Sequence, residues 1–172
     1  ISDEPVPEKL VRKMTDVIAH RGPDDYGLHI EAGIGLGHRR LSIIDLSKLG
    51  HQPMASSDGQ IYIVFNGEIY NFLELREDLI KKGYTLKSNS DTEVIIYLYM
   101  EYKEKCLSFL RGMFAFSIWD KRDGTVFIAR DRIGKKPLYY HDNGKSLVFG
   151  SELKSILEDP SVKKEINYEA MY

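Results

Sequence analysis

Hydrophobic and polar positions along the 172-residue chain follow first a helical period and then a strand period. Apolar residues recur at helical spacing over residues 10–18, and the pattern breaks in the polar turn at residues 20–23, which predicts one amphipathic helix. Residues 27–45 have the period of two strands divided by a glycine turn, and residues 61–65 are apolar on both alternating faces. A strand without a polar face is covered on both sides, so residues 61–65 are predicted to lie at the centre of the fold.

Two further helices are predicted from the polar residues at their starts. Asn71 is a favourable N-cap, and Glu74 would complete a capping box with it. Ser90 and Glu93 have the S-x-x-E spacing of a second capping box. Since Ser90 takes the capping role there, Asp91 is left without one.

After Gly112 the chain returns to strand patterns. Four strand candidates are joined in part by turns at residues 121–124 and 142–144, both of which have hairpin chemistry, and a short helix ends before Pro160. Without repeats or low-complexity segments, the chain is predicted to form one domain. Strands, helices and strands again predict an α+β fold of packed sheets with helices outside.

Composition and charge exclude several classes of protein. The 42% of apolar residues can build a core without metals or disulfides, and 24 basic against 26 acidic residues give a net charge of -2. Nucleic acid is therefore not an expected partner. The single cysteine, Cys106, lies on an apolar helical stripe and is predicted to be a buried, inert thiol. Neither a membrane segment nor a signal peptide is predicted and the histidines lack metal-ligand spacing, so we expect a cytoplasmic protein without a metal site.

Asn66 and Gly67 follow the apolar strand and admit two interpretations. Asn-Gly is a strong signal for a type I′ hairpin turn, and the dipeptide alone favours that interpretation. Alternatively, the Asn66 amide and the Gly67 N–H are two donors that could stabilise a developing oxyanion.

Arg40 and Asp91 are the other polar residues that could bind a ligand. The guanidinium of Arg40 can hold a carboxylate by two parallel hydrogen bonds, although a solvated surface arginine is the commoner case. Asp91 could bind an ammonium group, or it could simply complement the dipole of its helix. Taken with the Asn-Gly donor pair, these two residues meet the requirements of an amino-acid amide, and glutamine satisfies all three.

Seven segments of the chain, in this order, resemble one family. The family is the glutaminase domain of glutamine-dependent asparagine synthetase, a class II glutamine amidotransferase of the N-terminal-nucleophile hydrolase type. The resemblance covers essentially the whole chain, and it implies a glutaminase domain over residues 1–160, with residues 161–172 as the start of the connection to a synthetase domain. The segments are "HRGPDDYG", "GHRRLSIIDLS", "VFNGEIYNF", "SDTEVIIYLY", "GMFAFSIWD", "RDRIGKKPLYY" and "FGSELKSIL".

The resemblance implies a four-layer αββα sandwich, with two stacked, mainly antiparallel sheets and glutamine bound at one edge. Arg40 would hold the α-carboxylate of glutamine, Asp91 and Glu68 its amino end, and Arg21 would help to order the pocket. Asn66 and Gly67 would form the oxyanion hole. The resemblance also implies that the residues after Arg40 line the site: Leu41, Ser42, Ile43 and Ile44.

The resemblance further implies the reaction. In this family an N-terminal cysteine attacks the side-chain amide of glutamine, and the resulting γ-glutamyl thioester is hydrolysed. The ammonia released would go to a synthetase domain of the same protein, which uses ATP and Mg to activate aspartate. This domain itself is expected to need no cofactor, and its partners would be L-glutamine and that synthetase domain. The sequence leaves a homodimer open.

The chain departs from the family pattern at its start, which is Ile1-Ser2 in place of a cysteine. We therefore expect the parent protein to hydrolyse glutamine and the chain as given not to do so. Two alternatives remain: an amidotransferase with another carboxylate acceptor, and a non-catalytic glutamine-binding relative. The genomic N-terminus would discriminate between the catalytic and the non-catalytic hypotheses.

Overall fold

The computed structural model describes residues 1–2, 4–165 and 168–169, and this part of the chain forms four α-helices and eight strands. The helices are α1 (Glu8–Asp16), α2 (Phe72–Lys81), α3 (Asp91–Tyr102) and α4 (Leu153–Ile156). The strands are β1 (Asp25–Glu31), β2 (Ile34–Arg40), β3 (Met54–Ala55), β4 (Ile61–Ile69), β5 (Gly112–Asp120), β6 (Thr125–Arg130), β7 (Tyr139–Asp142) and β8 (Leu147–Gly150). Residues 166, 167 and 170–172 of the predicted connection lie outside the described residues.

The strands form two sheets in which neighbouring strands are antiparallel. Strands β3, β4, β5 and β6 form one sheet in that order, while β1-β2 and β7-β8 are hairpins. Residues 1–2 join the two hairpins, because Ser2 N–H donates to Gly33 O (2.8 Å) and Leu147 N–H donates to Ile1 O (2.9 Å). The hairpins therefore belong to one second sheet.

Helices cover the outer face of each sheet. Helices α2 and α3 bury their apolar side chains against the four-stranded sheet, and α1 packs on β2 and on α4. Between the sheets, Ile34 and Leu36 of β2 pack near Val64 of β4. The order helix, sheet, sheet, helix confirms the predicted four-layer sandwich.

The predicted capping box of α2 is wrong. The Asn71 side chain makes no cap hydrogen bond; its Nδ2 donates to Phe109 O and its Oδ1 accepts from Arg111 N–H, both at 3.0 Å. These contacts tie the start of α2 to the segment that enters β5. The Asn71 side chain therefore bonds to backbone groups 38 and 40 positions away and does not cap its own helix.

The predicted N-cap of α3 is confirmed, although its capping box is only half formed. Ser90 Oγ accepts from Thr92 N–H at 3.2 Å. The Glu93 carboxylate binds the N–H groups of Lys87 (2.9 Å) and Ser88 (2.7 Å) instead of that of Ser90. The loop before α3 is thereby fixed, which places Asp91 in the first turn of a buried helix.

Cys106 lies in a short 3-10 turn after α3, where its side chain is fully buried. Burial raises the pKa of its thiol to about 12. A thiol of this kind is not ionised near neutral pH and is a poor nucleophile. The prediction of a buried thiol is confirmed, and its inertness stays a prediction.

Candidate active site

A cavity of about 570 Å³ is lined by residues of both sheets and brings together most of the predicted site residues. Of the nine residues predicted to bind the substrate, only Ser42 does not line it. Ser42 is partly exposed, and its N–H donates to Asp24 Oδ2 at 2.8 Å. The eight that line it are Arg40, Leu41, Ile43, Ile44, Asn66, Gly67, Glu68 and Asp91.

Asn66 and Gly67 lie inside β4, so the hairpin-turn interpretation is wrong. Asn66 pairs with Ala115 of β5 and Gly67 pairs with Phe114. The strand was also predicted to end before Asn66, whereas it continues to Ile69. The Asn-Gly dipeptide therefore does not serve to form a turn. Both of its residues line the cavity, where they can contact a ligand.

The backbone N–H of Gly67 points away from β5. Near one end of the ladder Tyr70 N–H donates to Arg111 O (2.8 Å), and near the other Lys121 N–H donates to Gln60 O (2.9 Å). Even-numbered residues of β4 therefore bond to β5, and odd-numbered residues turn their N–H and C=O groups to the opposite edge. Strand β3 covers that edge only at the start of β4. The N–H of Gly67 is thus directed to the side of the cavity.

The Asn66 side chain offers a second donor. Its Nδ2 is buried and has no hydrogen-bond partner among the described residues. Buried polar groups are nearly always paired, because an unpaired one costs about 1 to 3 kcal/mol. Asn66 Nδ2 and Gly67 N–H belong to adjacent residues that line one cavity. Together they can receive a negatively charged oxygen.

Arg40 is the last residue of β2 and is 7% exposed, so the surface-arginine alternative is wrong. Its guanidinium donates to Ser47 O and Ile44 O, each at 3.2 Å, and to Asp45 O. Three of its five N–H groups therefore hold the loop after β2. The two that remain, on Nε and Nη1, point in different directions, so a ligand carboxylate can accept from either of them but not from both in parallel.

The segment after Arg40 is a loop, although it was predicted to continue the strand to residue 45. Leu41 is 55% exposed and Ile43 is 71% exposed, although both line the cavity. The carbonyl contacts of Arg40 explain this course, since they bend the chain around the guanidinium. Apolar side chains are thereby placed at the cavity rim.

Asp91 is the first residue of α3 and is 4% exposed. Its Oδ2 accepts from Ile69 N–H of β4 at 3.0 Å, so the carboxylate faces the strand and does not merely complement the helix dipole. Burial raises the pKa of Asp91, and the nearby Glu68 carboxylate raises it further. A cation bound in the cavity would stabilise the ionised carboxylate of Asp91 and lower its pKa.

Glu152 was missed by the sequence reasoning. Its Oε1 accepts from Arg21 Nη1 and lies 3.0 Å from His20 Nε2, while its Oε2 is 3.1 Å from Lys154 Nζ. Arg21 in turn lines the cavity. No local pattern signals an ion pair between residues that lie 131 positions apart.

The cationic neighbours of Glu152, with Arg21 first, lower the pKa of its carboxyl from 4.5 to about 2. Its ionised form therefore stabilises the fold fully above about pH 4.5, and this contribution is lost as the pH falls towards 2. We expect Glu152→Gln to be less stable than wild type at neutral pH and to lose less stability across that window. Urea unfolding at several pH values would check this, with exposed Glu74→Gln as control. Parallel pH curves for wild type and Glu152→Gln would contradict the prediction.

His38 and Gln52 also line the cavity and were likewise missed. One signal was available for His38. It lies two positions after the buried Leu36 on β2, so both side chains are on the same, core-facing side of the strand. A polar residue on such a face is expected to have a hydrogen-bond partner. Gln52 had no comparable signal.

The comparison with protein families decides the identity of this fold and cavity. A sequence model of the glutamine amidotransferase domain family matches residues 1–172. The chain belongs to that family. The curated relatives include glutamine-hydrolysing asparagine synthetase 1 of Bacillus subtilis, 48% identical over 92% of this chain and 25% of its own length. A putative glutamine-hydrolysing asparagine synthetase 2 of Methanocaldococcus jannaschii is 45% identical over 91% of this chain and 33% of its own.

This glutamine amidotransferase domain is also similar in sequence to a protein that is named an amidase and not an asparagine synthetase. Amidase chry2 of Gibberella zeae is 44% identical over 83% of the chain and 21% of its own length. The domain thus spans about a fifth to a third of the curated relatives that it matches. The relatives therefore identify the domain family.

Among solved structures, the glutamine phosphoribosylpyrophosphate amidotransferase of B. subtilis superposes on this amidotransferase domain with a TM-score of 0.76. The match is 20% identical and covers 90% of this chain and 41% of the other. At that identity the similarity concerns the fold, and it agrees with the four layers described above. Within the described ranges of the domain, no helix has the length and apolar character to cross a membrane, and no three His, Cys, Asp or Glu residues are grouped as metal ligands.

Proposed function

We propose that this domain hydrolyses L-glutamine within a longer protein and supplies the ammonia to a synthetase domain that amidates aspartate. The observation that carries the proposal is the unpartnered Asn66 Nδ2 beside Gly67 N–H in a cavity that also holds Arg40 and Asp91. An amino-acid amide needs a donor pair, a cation and an anion, and one cavity contains all of them. The names of the similar synthetases support the choice of glutamine and aspartate.

The substrate is proposed to lie across the cavity. Arg40 holds its α-carboxylate through its charge and an N–H group that is not bonded to the loop, while Asp91 and Glu68 hold its α-ammonium group. The side-chain amide then lies near Asn66 and Gly67. Because Asp91 is already fixed by Ile69 N–H, its carboxylate needs little reorganisation to bind.

The nucleophile is proposed to be an N-terminal cysteine ahead of Ile1 in the longer protein. Ile1 and Asn66 line the same cavity, and residues 1–2 run between Gly33 and Leu147. The cysteine sulfur attacks the amide carbon, and its proton passes through the α-amine to the leaving nitrogen, which departs as ammonia. Water then cleaves the thioester to give glutamate. Asn66 and Gly67 stabilise the oxyanion in both steps.

A second candidate differs only in the acceptor of the ammonia. The similarity to an amidase of Gibberella zeae favours keeping it, because the same domain family occurs in proteins without a synthetase name. The acceptor would not contact the residues of this domain. ATP, Mg, cytoplasmic location and any homodimer remain predictions that concern the longer protein.

The test uses the longer protein and the 172-residue chain side by side. The longer protein should release glutamate from L-glutamine, and the chain that starts at Ile1 should release none. With ATP, Mg and a panel of carboxylates, mass spectrometry of the products would identify the acceptor, with aspartate expected. A longer protein that binds glutamine without hydrolysing it would replace the proposal with the non-catalytic alternative.

A further inference from the structure

Side chains take the place of a neighbouring strand along the second half of β4. Beyond the short β3, the backbone groups of Phe65, Gly67 and Ile69 face the cavity side. The N–H of Ile69 is bound by Asp91, and the N–H and C=O of Phe65 are bound by two other side chains. The N–H of Gly67 is the donor left for a ligand.

Gln52 binds the N–H of Phe65. Its Oε1 accepts that N–H at 2.7 Å, and its Nε2 donates to Thr92 Oγ1 at 3.4 Å. Gln52 is 5% exposed, so the pair is shielded from water. A buried amide with partners at both ends has a fixed orientation, and it connects β4 to α3.

His38 binds the C=O of the same residue. Its Nε2 lies 3.0 Å from Phe65 O, and because a carbonyl only accepts, Nε2 must carry the proton. Burial lowers the pKa of His38 to about 4, which keeps the ring neutral near pH 7. Nδ1 is buried and has no partner among the described residues, so the hydrogen bond to Phe65 is the polar contact that orients the ring.

We propose that Gln52 and His38 are positioning residues that clamp Phe65 and thereby aim Asn66 and Gly67 at the oxyanion. The C=O of Phe65 and the N–H of Asn66 belong to one planar peptide unit, so holding the carbonyl also fixes the backbone that carries the Asn66 side chain. An edge without a neighbouring strand could otherwise twist. Misplacement of a donor by about 1 Å can cost about 10²-fold in rate. The inference rests on the glutaminase function proposed above.

The clamp predicts a kinetic pattern that a purely structural role would not give. If Gln52 and His38 only stabilised the fold, their replacement would lower the amount of active protein and leave its kcat unchanged. If they aim the oxyanion donors, kcat should fall in the folded protein, while the KM for glutamine stays nearly the same. That split arises because the oxyanion exists only near the transition state.

The experiment uses the longer protein and two matched pairs of variants. His38→Gln keeps a donor near the position of Nε2, whereas His38→Asn places its amide near Nδ1, too short to reach Phe65 O. Gln52→Glu keeps an acceptor for Phe65 N–H, whereas Gln52→Met removes it. Two residues that do not line the cavity serve as controls, through His141→Gln and Gln60→Met.

We expect His38→Asn and Gln52→Met to lower kcat for glutamine hydrolysis by about 10- to 100-fold, with KM changed less than about threefold. His38→Gln and Gln52→Glu should recover most of kcat, and both controls should match wild type. Active-site titration with an aldehyde analogue of glutamine would correct kcat for unfolded protein. Wild-type kcat in the two disruptive variants, or a loss that appears only in KM, would overturn the clamp alone. A wild-type protein without glutaminase activity would overturn the proposed function, and the clamp with it.

Discussion

Replacing Asn66 with alanine in the longer protein should lower kcat for glutamine hydrolysis by about 10² to 10³-fold, equivalent to about 2.7 to 4 kcal/mol. Asn66 Nδ2 is proposed to bond to the oxyanion, which develops only in the transition state. The KM for glutamine should therefore change little. Glutamate release under saturating glutamine would measure the effect.

The same substitution should not destabilise the fold through a lost hydrogen bond. Asn66 Nδ2 is already buried without a protein partner, so its removal takes away an unsatisfied donor. We expect the melting temperature of Asn66→Ala to equal or exceed that of wild type. Loss of activity with retained stability is the signature of a group placed for a ligand.

A matched control is Asn143→Ala in the turn between β7 and β8. Asn143 Oδ1 accepts from Lys145 N–H and Ser146 N–H, so its removal should lower stability and leave kcat unchanged. The two asparagines should thus show opposite patterns. Unchanged kcat in Asn66→Ala would contradict the oxyanion role, and a large fall in its melting temperature would show that Nδ2 has a structural partner.

Much of the fold could be predicted because its signals are local. The turns at residues 121–124 and 142–144 do connect β5 to β6 and β7 to β8, and residues 61–65 do lie in a central strand. The Asn66-Gly67 dipeptide was ambiguous because its local preference for a turn competes with the ladder to β5. That ladder is a tertiary interaction, with Asn66 paired to Ala115 almost fifty positions away. Local propensity could not decide between them.

The candidate site could be predicted only as a set. Arg40 and Asp91 are each ordinary when taken singly, and it was their combination with the Asn-Gly pair that indicated a ligand. The contacts that position these residues could not be read from the sequence. Gln52 meets Phe65 across 13 positions and His38 across 27, and neither pair follows a helical or strand period. Such contacts depend on how the layers stack.

Replacing Arg40 with alanine should weaken glutamine binding by at least about 2 kcal/mol, or roughly 30-fold, through loss of a charge-assisted contact to the α-carboxylate. It should also lower the free energy of unfolding by about 1 to 3 kcal/mol, because the Ser47, Ile44 and Asp45 carbonyls lose their donor. Calorimetry would measure the binding, and urea unfolding would measure the stability.

Arg39→Ala is the matched control, because Arg39 lies next to Arg40 on β2 and its guanidinium is bonded to α1, although part of the residue lines the same cavity. Its guanidinium pairs with Asp16 and contacts Thr15 O of α1. We expect this variant to lose some stability and to bind glutamine normally. If both variants bound glutamine like wild type, Arg40 would serve only to hold the loop after β2. If Arg40→Lys restored stability without restoring affinity, the placement of the guanidinium N–H groups, and not the charge alone, would be the feature that recognises the carboxylate.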